Sequence, residues 1–345
     1  NPLTLENLKR FRSLRRGYWS FIIMMLLIFL SLVAELFVNS RALVVRYDSK
    51  LYFPVYGAII PGARFGLGYD YETDYRQLKK QLSGNSRGDF VIMPPIPYNP
   101  YETDFIDGSY PPFPPSIERR HFLGTDRTGR DIAARLIYGF RISIIFSLIL
   151  LVFNYAIGIS VGSLMGYLGG RFDLFFQRII EIWNNIPYLY AIIIISSIII
   201  PNFFSLLGIM IFFGWIGITW YMRTAVYSER EREYVLAAKA MGASTFRIIA
   251  KHIIPNTLSV IITFIPFAVA GGITALTALD YLGFGLAPPV PSWGQLLAEA
   301  SQYNIAAPWI GISVITALVI VLSMVTFIGE SVREAYDPKK FTTYE

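Results

Sequence analysis

The sequence predicts an all-α, polytopic membrane protein with six transmembrane helices and one large extracytoplasmic loop after the first. Three observations carry that prediction. The chain of 345 residues is 54% hydrophobic and only 16% charged, too apolar for an ordinary soluble domain. Its apolar residues fall in runs of about twenty, the length a helix needs to cross a bilayer. Its basic residues collect beside those runs, as orientation signals do, so the formal net charge of +6 does not point to nucleic acid. With no cysteine there is no disulfide framework, thiol catalysis or cysteine-based metal site. With only His121 and His252, far apart in sequence, a histidine metal site is not expected either.

Residues 1–38 hold Lys9, Arg10, Arg12, Arg15 and Arg16 against a single Glu6, then Tyr18 and Trp19 as interfacial aromatics. Phe21–Val38 is the first span. The five positive charges at its entry place the N-terminus in the cytosol. No small-residue cleavage site follows, so the run reads as a retained helix and not a signal peptide. Residues 39–140 are outside, rich in Tyr, Pro, Asp and Gly. Between Pro94 and Pro115 lie eight prolines, which favour extended polyproline II. The run reads as a rigid loop packed on the membrane part, with a platform for an external partner as the alternative. Thr128 and Asp131 have capping-box spacing for a short helix before the second span.

Ile142–Leu168 is the second span. Its Gly158-Ile159-Ser160-Val161-Gly162 formally matches a nucleophile elbow, which requires a strand, a histidine and an acid that a helix here does not supply. Gly166 continues the same spacing of four, so the glycines read as a small-residue stripe for close helix approach. Gly169–Asn185 is a cytosolic turn and helix, Ile186–Ile200 the third span, Pro201-Asn202 an outer turn and Phe203–Val226 the fourth span. Thr257–Ala278 is the fifth, bent by Pro266 and Gly271-Gly272. Leu279–Pro308 is an outer loop without Lys or Arg. Trp309–Ile328 is the sixth span, and the chain ends inside. The inner segments hold the N-terminal basics, then Arg171, Arg178, Arg223, Arg230, Arg232, Lys239, Arg247, Lys251, Arg333, Lys339 and Lys340, while the short outer turns hold none. This bias fits both termini in the cytosol. The long outer loop is exempt, because such loops translocate regardless of charge. The resulting segments are 1–38, 39–140, a five-helix core at 141–330 and a tail at 331–345.

The stretch Ser228–Asn256 is the longest charged segment of the C-terminal two-thirds and separates two spans. Arg230–Met241 reads as a helix with an apolar stripe at Val235, Ala238 and Met241. Gly242 stops it, as a glycine with positive φ would. Ala243–Ile254 restarts a helix with Ser244 as N-cap, and Pro255 opens the next span. Two short helices interrupting a membrane domain imply a docking role.

This helix, glycine, helix, proline pattern resembles the EAA loop of ABC-importer permeases, through Ala237, Ala238, Gly242, Ile254 and Pro255. Leu236 stands where that family has an acidic residue and His252 where it has an aliphatic one. The first helix's charge therefore falls on Glu229, Glu231 and Glu233. The segments Leu123-Gly124-Thr125-Asp126, Gly129-Arg130-Asp131, Arg135, Gly139 and Arg141-Ile142-Ser143 resemble the dipeptide/oligopeptide branch. So do Gly169-Gly170, Asp173, Arg178 and Pro187, then Asp280 to Gly285, Pro291 to Gly294, and Arg333, Asp337-Pro338 and Lys339. Within the branch, Arg15 to Ser20, Arg46-Tyr47-Asp48, Tyr52-Phe53-Pro54, Pro201-Asn202-Phe203 and the Phe212-Gly214-Trp215 stretch are similar to the Yej-type permeases, the second permease of bacterial importers of oligopeptides and microcin C. The resemblance covers nearly the whole chain.

It implies a type I ABC-importer permease fold in the bacterial inner membrane. It also implies a heterodimer with a second permease subunit, a cytosolic ABC ATPase with two nucleotide-binding domains, an extracytoplasmic peptide-binding protein and a peptide substrate. The ATPase-coupling loop is then Glu233, Tyr234, Ala237, Ala238, Gly242, Ala243, Ser244, Ile254 and Pro255, its coupling helix seated in a groove of the ATPase. The chain lacks the phosphate-cradling motif G-x-x-x-x-G-K-[ST]. The subunit is therefore expected to be non-catalytic and to bind no cofactor or metal, with ATP and Mg on the partner. Polar groups that would be costly facing lipid, Asn154, Asn184, Asn185, Thr263 and Thr274, are candidates for lining the translocation pathway, with interhelical bonding as the alternative for the amides and solvation near the inner interface for Asn184 and Asn185. The competing class is an ion-coupled secondary transporter, which needs an ionisable group deep within a span. The nearest candidates, Glu35 and Asp280, lie near span ends. A membrane-anchored scaffold would not need the Gly242 loop.

Overall fold

The computed structural model describes residues 2–83, 88–105 and 108–336, with side chains from Glu6 onward. The Asp337-Pro338 and Lys339 match, with the rest of the tail from 337, lies outside the described residues. In chain order the elements are α1 (Pro2–Ser13), α2 (Arg15–Leu32), β1 (Val44–Tyr47), β2 (Lys50–Tyr52), α3 (Tyr75–Leu82), β3 (Phe90–Ile92), α4 (Ile132–Leu168), α5 (Gly170–Asn184), α6 (Tyr188–Ile198), α7 (Phe203–Gly214), α8 (Ile216–Glu229), α9 (Glu233–Ala240), α10 (Thr245–Ile248), α11 (Ile254–Asn256), α12 (Leu258–Tyr281), α13 (Trp293–Tyr303) and α14 (Pro308–Tyr336).

Among the described residues, five helical stretches are long and apolar enough to cross a membrane: α2, α4, α7 with α8, α12 and α14. Trp215, between α7 and α8, keeps right-handed helical angles, so the two run on as one span. A sixth crossing requires α5 and α6 together, a pair bent by 68°. The expected third span, Ile186–Ile200 by itself, is therefore corrected. Its helix α6 has 11 residues, which reach about 16 Å, roughly half of the hydrocarbon thickness. The bend has a local cause. Pro187 has no N–H to continue α5, and its ring pushes Ile186 out of the helical region. The first span also ends earlier than expected, at Leu32, with a short 3₁₀ turn at Ala34–Leu36.

The chain divides into two compact units. One comprises residues 26–142 and 288–319. It contains an antiparallel sheet of order β2-β1-β3, with Val45 opposite Tyr52 on one side and Val91 on the other. The sheet packs with α3 around Val45, Phe65, Tyr75, Leu78, Leu82 and Val91. Phe65 meets the rings of Tyr47 and Tyr52 edge to face at 5.5 and 5.2 Å, so aromatic burial supplies a core where no disulfide can. Asp74 caps α3 by accepting from the N–H groups of Arg76 and Gln77.

The entry to α4 corrects the expected cap. Thr128 does not cap a helix; its N–H and hydroxyl both donate to Asp126 Oδ1 at 2.8 Å, closing a turn. Asp131 is the cap, accepting from Ala134 N at 2.7 Å. The helix it starts is not short but runs 37 residues to Leu168. The other oxygen of Asp131 lies 2.7 Å from His121 Nδ1, and His121 Nε2 lies 3.1 Å from Asp104 Oδ2. The imidazole is buried and stacked on Tyr98 at 3.9 Å. Arg135, one turn into α4, is fully buried, 3.4 Å from Asp126 Oδ2 and bonded to Gln295 of α13. Trp293 Nε1 donates to Leu136 O at 2.8 Å, so α13, inside the expected 279–308 loop, packs on the first turns of α4.

The other unit takes the described remainder of the chain. Here the glycines of α4 lie against α8. A Cβ placed on Gly158, Gly162 or Gly166 would sit 2.6, 2.5 and 2.5 Å from the carbonyl oxygens of Trp215, Thr219 and Arg223. The register advances four residues on each helix per contact, as packing of backbone on backbone requires. Ser160, between the glycines, is exposed and bonds to Ala156 O of its own helix. The elbow motif is thus part of a packing stripe. Arg223 adds a two-pronged ion pair to Asp173 of α5, with both N···O distances 2.6 Å. Asp280, at the end of α12, accepts from Leu286 N at 2.6 Å and closes the turn that follows it.

Gly162→Leu forces α4 off α8 and should cost about 3 kcal/mol, seen as a lower unfolding midpoint in detergent. Gly271→Ala, where nothing lies within 4 Å of the added carbon, should be neutral or stabilising. Equal midpoints for the two variants would contradict the stripe. For His121, burial opposes the charged form, yet the hydrogen bonds and charges of Asp104 and Asp131 outweigh it and hold its pKa above the ordinary value. The imidazolium therefore stabilises the fold fully below about pH 6.5, the unfolded value, and this contribution is lost as pH rises through the raised pKa. Melting curves across neutral to alkaline pH should show a decline that His121→Gln abolishes, the variant being about 3 kcal/mol less stable at the acid end.

Candidate functional site

The 228–256 segment begins where α8 ends. Helix α9 is shorter than the expected Arg230–Met241, because Arg232 is extended and the chain turns helical only at Glu233. Val235 and Ala238 are buried, as the stripe predicts, but Met241 is 81% exposed. The helix stops at Ala240 and Gly242 takes φ +79, so Met241 swings out of the stripe. Gly242 N–H donates to Lys239 O and Ala243 N–H to Ala238 O, satisfying carbonyls that the helix end leaves open. Ser244 is the N-cap of α10, its hydroxyl accepting from Arg247 N.

The second helix is not one regular helix as expected. After α10, Ile249–Ile253 form a π turn, closed by Ile254 N–H donating to Ile249 O. Pro255 explains it. Lacking an N–H, it cannot bond to Lys251 O, and its ring crowds that carbonyl outward. Thr257 then satisfies the loosened carbonyls of Ile253 and Ile254 with its hydroxyl, at 3.2 and 3.1 Å.

Val235, Ala238, Ile248 and Ile253 of this segment share one buried cluster with Ile218, Met222 and Val226 of α8 and Ile261 of α12, with Tyr234, Ala243 and Ile254 at its margin. Tyr234 Oη also donates to Glu229 Oε2 at 2.7 Å. Glu229 and Glu231 are engaged, by Tyr234 and Arg230 respectively. Glu233, Ala237, Gly242, Ser244 and Pro255 are exposed, and Glu233 has no ion-pair partner among the described residues.

Sequence reasoning missed the apolar side chains standing outward here. Phe246 is 81% exposed, as is Met241, and Leu236 is 49% exposed. The visible signal was Leu236 and Phe246, apolar and off the stripe in a charged loop, which periodicity alone discards; Met241 had been read as part of the stripe.

The pathway candidates lie on three helices. Asn154 on α4 continues the glycine register: its Nδ2 would meet a Cβ on Gly214 at 2.5 Å, and its Oδ1 is buried without a hydrogen-bond partner. Asn184, at the end of α5, is exposed. Thr263 and Thr274 on α12 donate to Ser259 O and Ala270 O of their own helix, at 2.7 and 2.9 Å.

Gly242→Pro should loosen this site locally. Proline cannot adopt φ +79 and removes the bond to Lys239 O, so amide exchange through residues 238–248 should accelerate at least about tenfold while the spans stay protected. Unchanged exchange would show that the turn does not depend on Gly242.

Residues 158–341 match the family described as binding-protein-dependent transport system inner membrane component. The chain is 41% identical to the inner membrane ABC transporter permease protein YejE of Escherichia coli, covering 99% of this chain and 98% of that protein. It is 38% identical to the peptidoglycan transport system permease protein YejE of Agrobacterium fabrum, covering 99% and 94%. It is 35% identical to the dipeptide transport system permease protein DppC of Bacillus subtilis, covering 66% and 70%. The chain belongs to the inner-membrane permease family of binding-protein-dependent ABC transport systems, on the branch that includes the YejE and DppC permeases.

Proposed function

We propose that this chain is one of two membrane subunits of an ATP-driven importer of peptides, both of its termini lying in the cytosol. The observation that carries the reading is the construction of the 228–256 segment. Its aliphatics are packed with α8 and α12, so the segment and the ends of those spans form one body. Its Met241 and Phe246 stand largely uncovered by the described residues around the Gly242 turn, with Leu236 half exposed beside them. An apolar projection on a charged loop, fused to two spans, suits a groove on a partner that drives motion. That partner is a cytosolic ABC ATPase with two nucleotide-binding domains, which carries the ATP and Mg.

Closure of the ATPase on ATP would move the segment as a near-rigid body and tilt α8 and α12 with it. The pathway between this chain and a second, non-identical permease then opens outward, and an extracytoplasmic binding protein delivers the solute. Only 22 to 33% of each span's apolar window is buried within this chain, which leaves room for both lipid and a second permease. The names of the relatives mention dipeptides and peptidoglycan, and the chemistry common to them is a peptide backbone. Oligopeptides, peptide antibiotics among them, are the proposed cargo.

The absence of cysteine makes an introduced thiol unique in this chain. Ser244→Cys should react with a membrane-impermeant maleimide from the cytosolic side alone, and a short bifunctional reagent should join it to a P-loop ATPase in a nucleotide-dependent way. Labelling from outside would overturn the topology. Cytosolic labelling without an ATPase adduct would overturn the coupling role.

A further inference from the structure

Between α3 and the segments 97–105 and 116–121 runs a groove of about 960 Å³. Its walls carry Arg76, Lys79, Lys80, Arg119 and Arg120. The sequence builds these walls locally. Helix α3 buries Tyr75, Leu78 and Leu82, which turns Lys79 and Lys80 outward. Arg119 and Arg120 sit in a turn closed by Ser116 N–H donating to His121 O at 2.9 Å and Arg120 N–H to Ile117 O at 3.1 Å. Arg120 has φ +62, a conformation that costs a residue with a Cβ about 1 kcal/mol and is kept where the surroundings hold it for a purpose.

The acidic groups of the groove are already committed. Asp74 caps α3, and Asp104 accepts from His121. Arg76 is matched by Glu102. Glu118 remains against Lys79, Lys80 and Arg119, none of which has an ion-pair partner among the described residues, and against Arg120, whose guanidinium donates to Pro94 O at 3.5 Å. The groove therefore holds surplus positive charge. Phe105, which lines it, is 81% exposed, and Ile117, beside Glu118, is 85% exposed. Arginine with exposed aromatic and aliphatic side chains is the composition of protein interfaces.

We propose that this groove is the docking surface for a soluble protein presenting an acidic face with an apolar centre. The claim rests on the permease reading, under which the groove is extracytoplasmic and that protein is the binding protein; it adds the place and the chemistry of contact. From the groove a chain of contacts runs to the start of α4: Asp104 meets His121, His121 meets Asp131, and Asp131 caps α4.

The test uses the complete transporter in lipid nanodiscs and the purified binding protein that supports its transport. The triple variant Lys79→Glu, Lys80→Glu, Arg119→Glu should weaken binding about tenfold or more at low salt, and the gap should narrow as salt rises. Lys50→Glu, on β2 at the far edge of the sheet, should bind as the parent does. Unchanged affinity and salt dependence in a triple variant with the parental unfolding midpoint would overturn the proposal. Arg119→Cys gives an independent readout. A short cross-linker should join it to the binding protein, whereas an adduct with the second permease would mean that the groove is covered within the transporter and would overturn the proposal. A parent transporter that joins the ATPase through Ser244→Cys yet binds no soluble protein defeats the docking claim alone. Loss of both defeats the permease reading itself.

Discussion

The approach of two helix backbones, α4 on α8, is the constraint on which the transport unit depends. Lipid is as apolar as leucine, so burying leucines between spans gains little, and close contact through small residues supplies the attraction instead. Gly158, Gly162 and Gly166 allow it by leaving the carbonyl edges of Trp215, Thr219 and Arg223 accessible. Once the helices touch there, the remaining contacts fall into place. Arg223 reaches Asp173 on α5, and Tyr155, Ile159 and Tyr167 of α4 lie against the cluster that α8 shares with the following loop.

Past that point the rules change from lipid to water. Val235, Ile248 and Ile253 are shielded from solvent, each contributing about 2 kcal/mol by burial, and together they tie the loop to α8 and α12. A loop so tied cannot be displaced without moving those helices. The exposed Met241 and Phe246 lie on the far side of the same structure. Gly242 reconciles the two sets: only a left-handed turn sends Met241 outward while returning Ile248 to the core. The π turn before Pro255 does similar work at the other end, widening the helix where the proline ring would otherwise collide.

Sequence periodicity and local chemistry revealed what depends on neighbours in the chain. The apolar runs, the positive φ at Gly242, the cap at Ser244 and the glycine stripe are all of this kind. The fold's remaining features depend on competing partners and on directions that periodicity does not report. Thr128 and Asp131 have the spacing of a cap, but Asp126 competes for Thr128 and His121 for Asp131. The three-stranded sheet was not legible because its strands are three or four residues long and its third strand follows an intervening helix. Asp173 and Arg223 are fifty residues apart, and no pattern within either helix announces their pairing. The bend between α5 and α6 was hidden because hydropathy measures apolar length and not direction. Met241 was misplaced because a stripe was extended one residue beyond the helix that carries it.

Asn154 shows the limit of reading every polar group in a span as packing. It stands one turn before Gly158, at the place the stripe would give to another small residue, and faces Gly214. Interhelical bonding predicts that its amide oxygen finds a donor, yet that oxygen is buried without one. An orphaned buried acceptor costs about 1 to 3 kcal/mol, which a glycine or alanine at 154 would avoid. Thr263 and Thr274 carry no such cost, because their hydroxyls bond back to their own helix, and such residues are equally at home in lipid or beside a pathway. A role beyond packing is therefore best supported where the bonding is least complete. On that ground Asn154, held where α4 meets Gly214 at the end of α7, is separated from the other candidates.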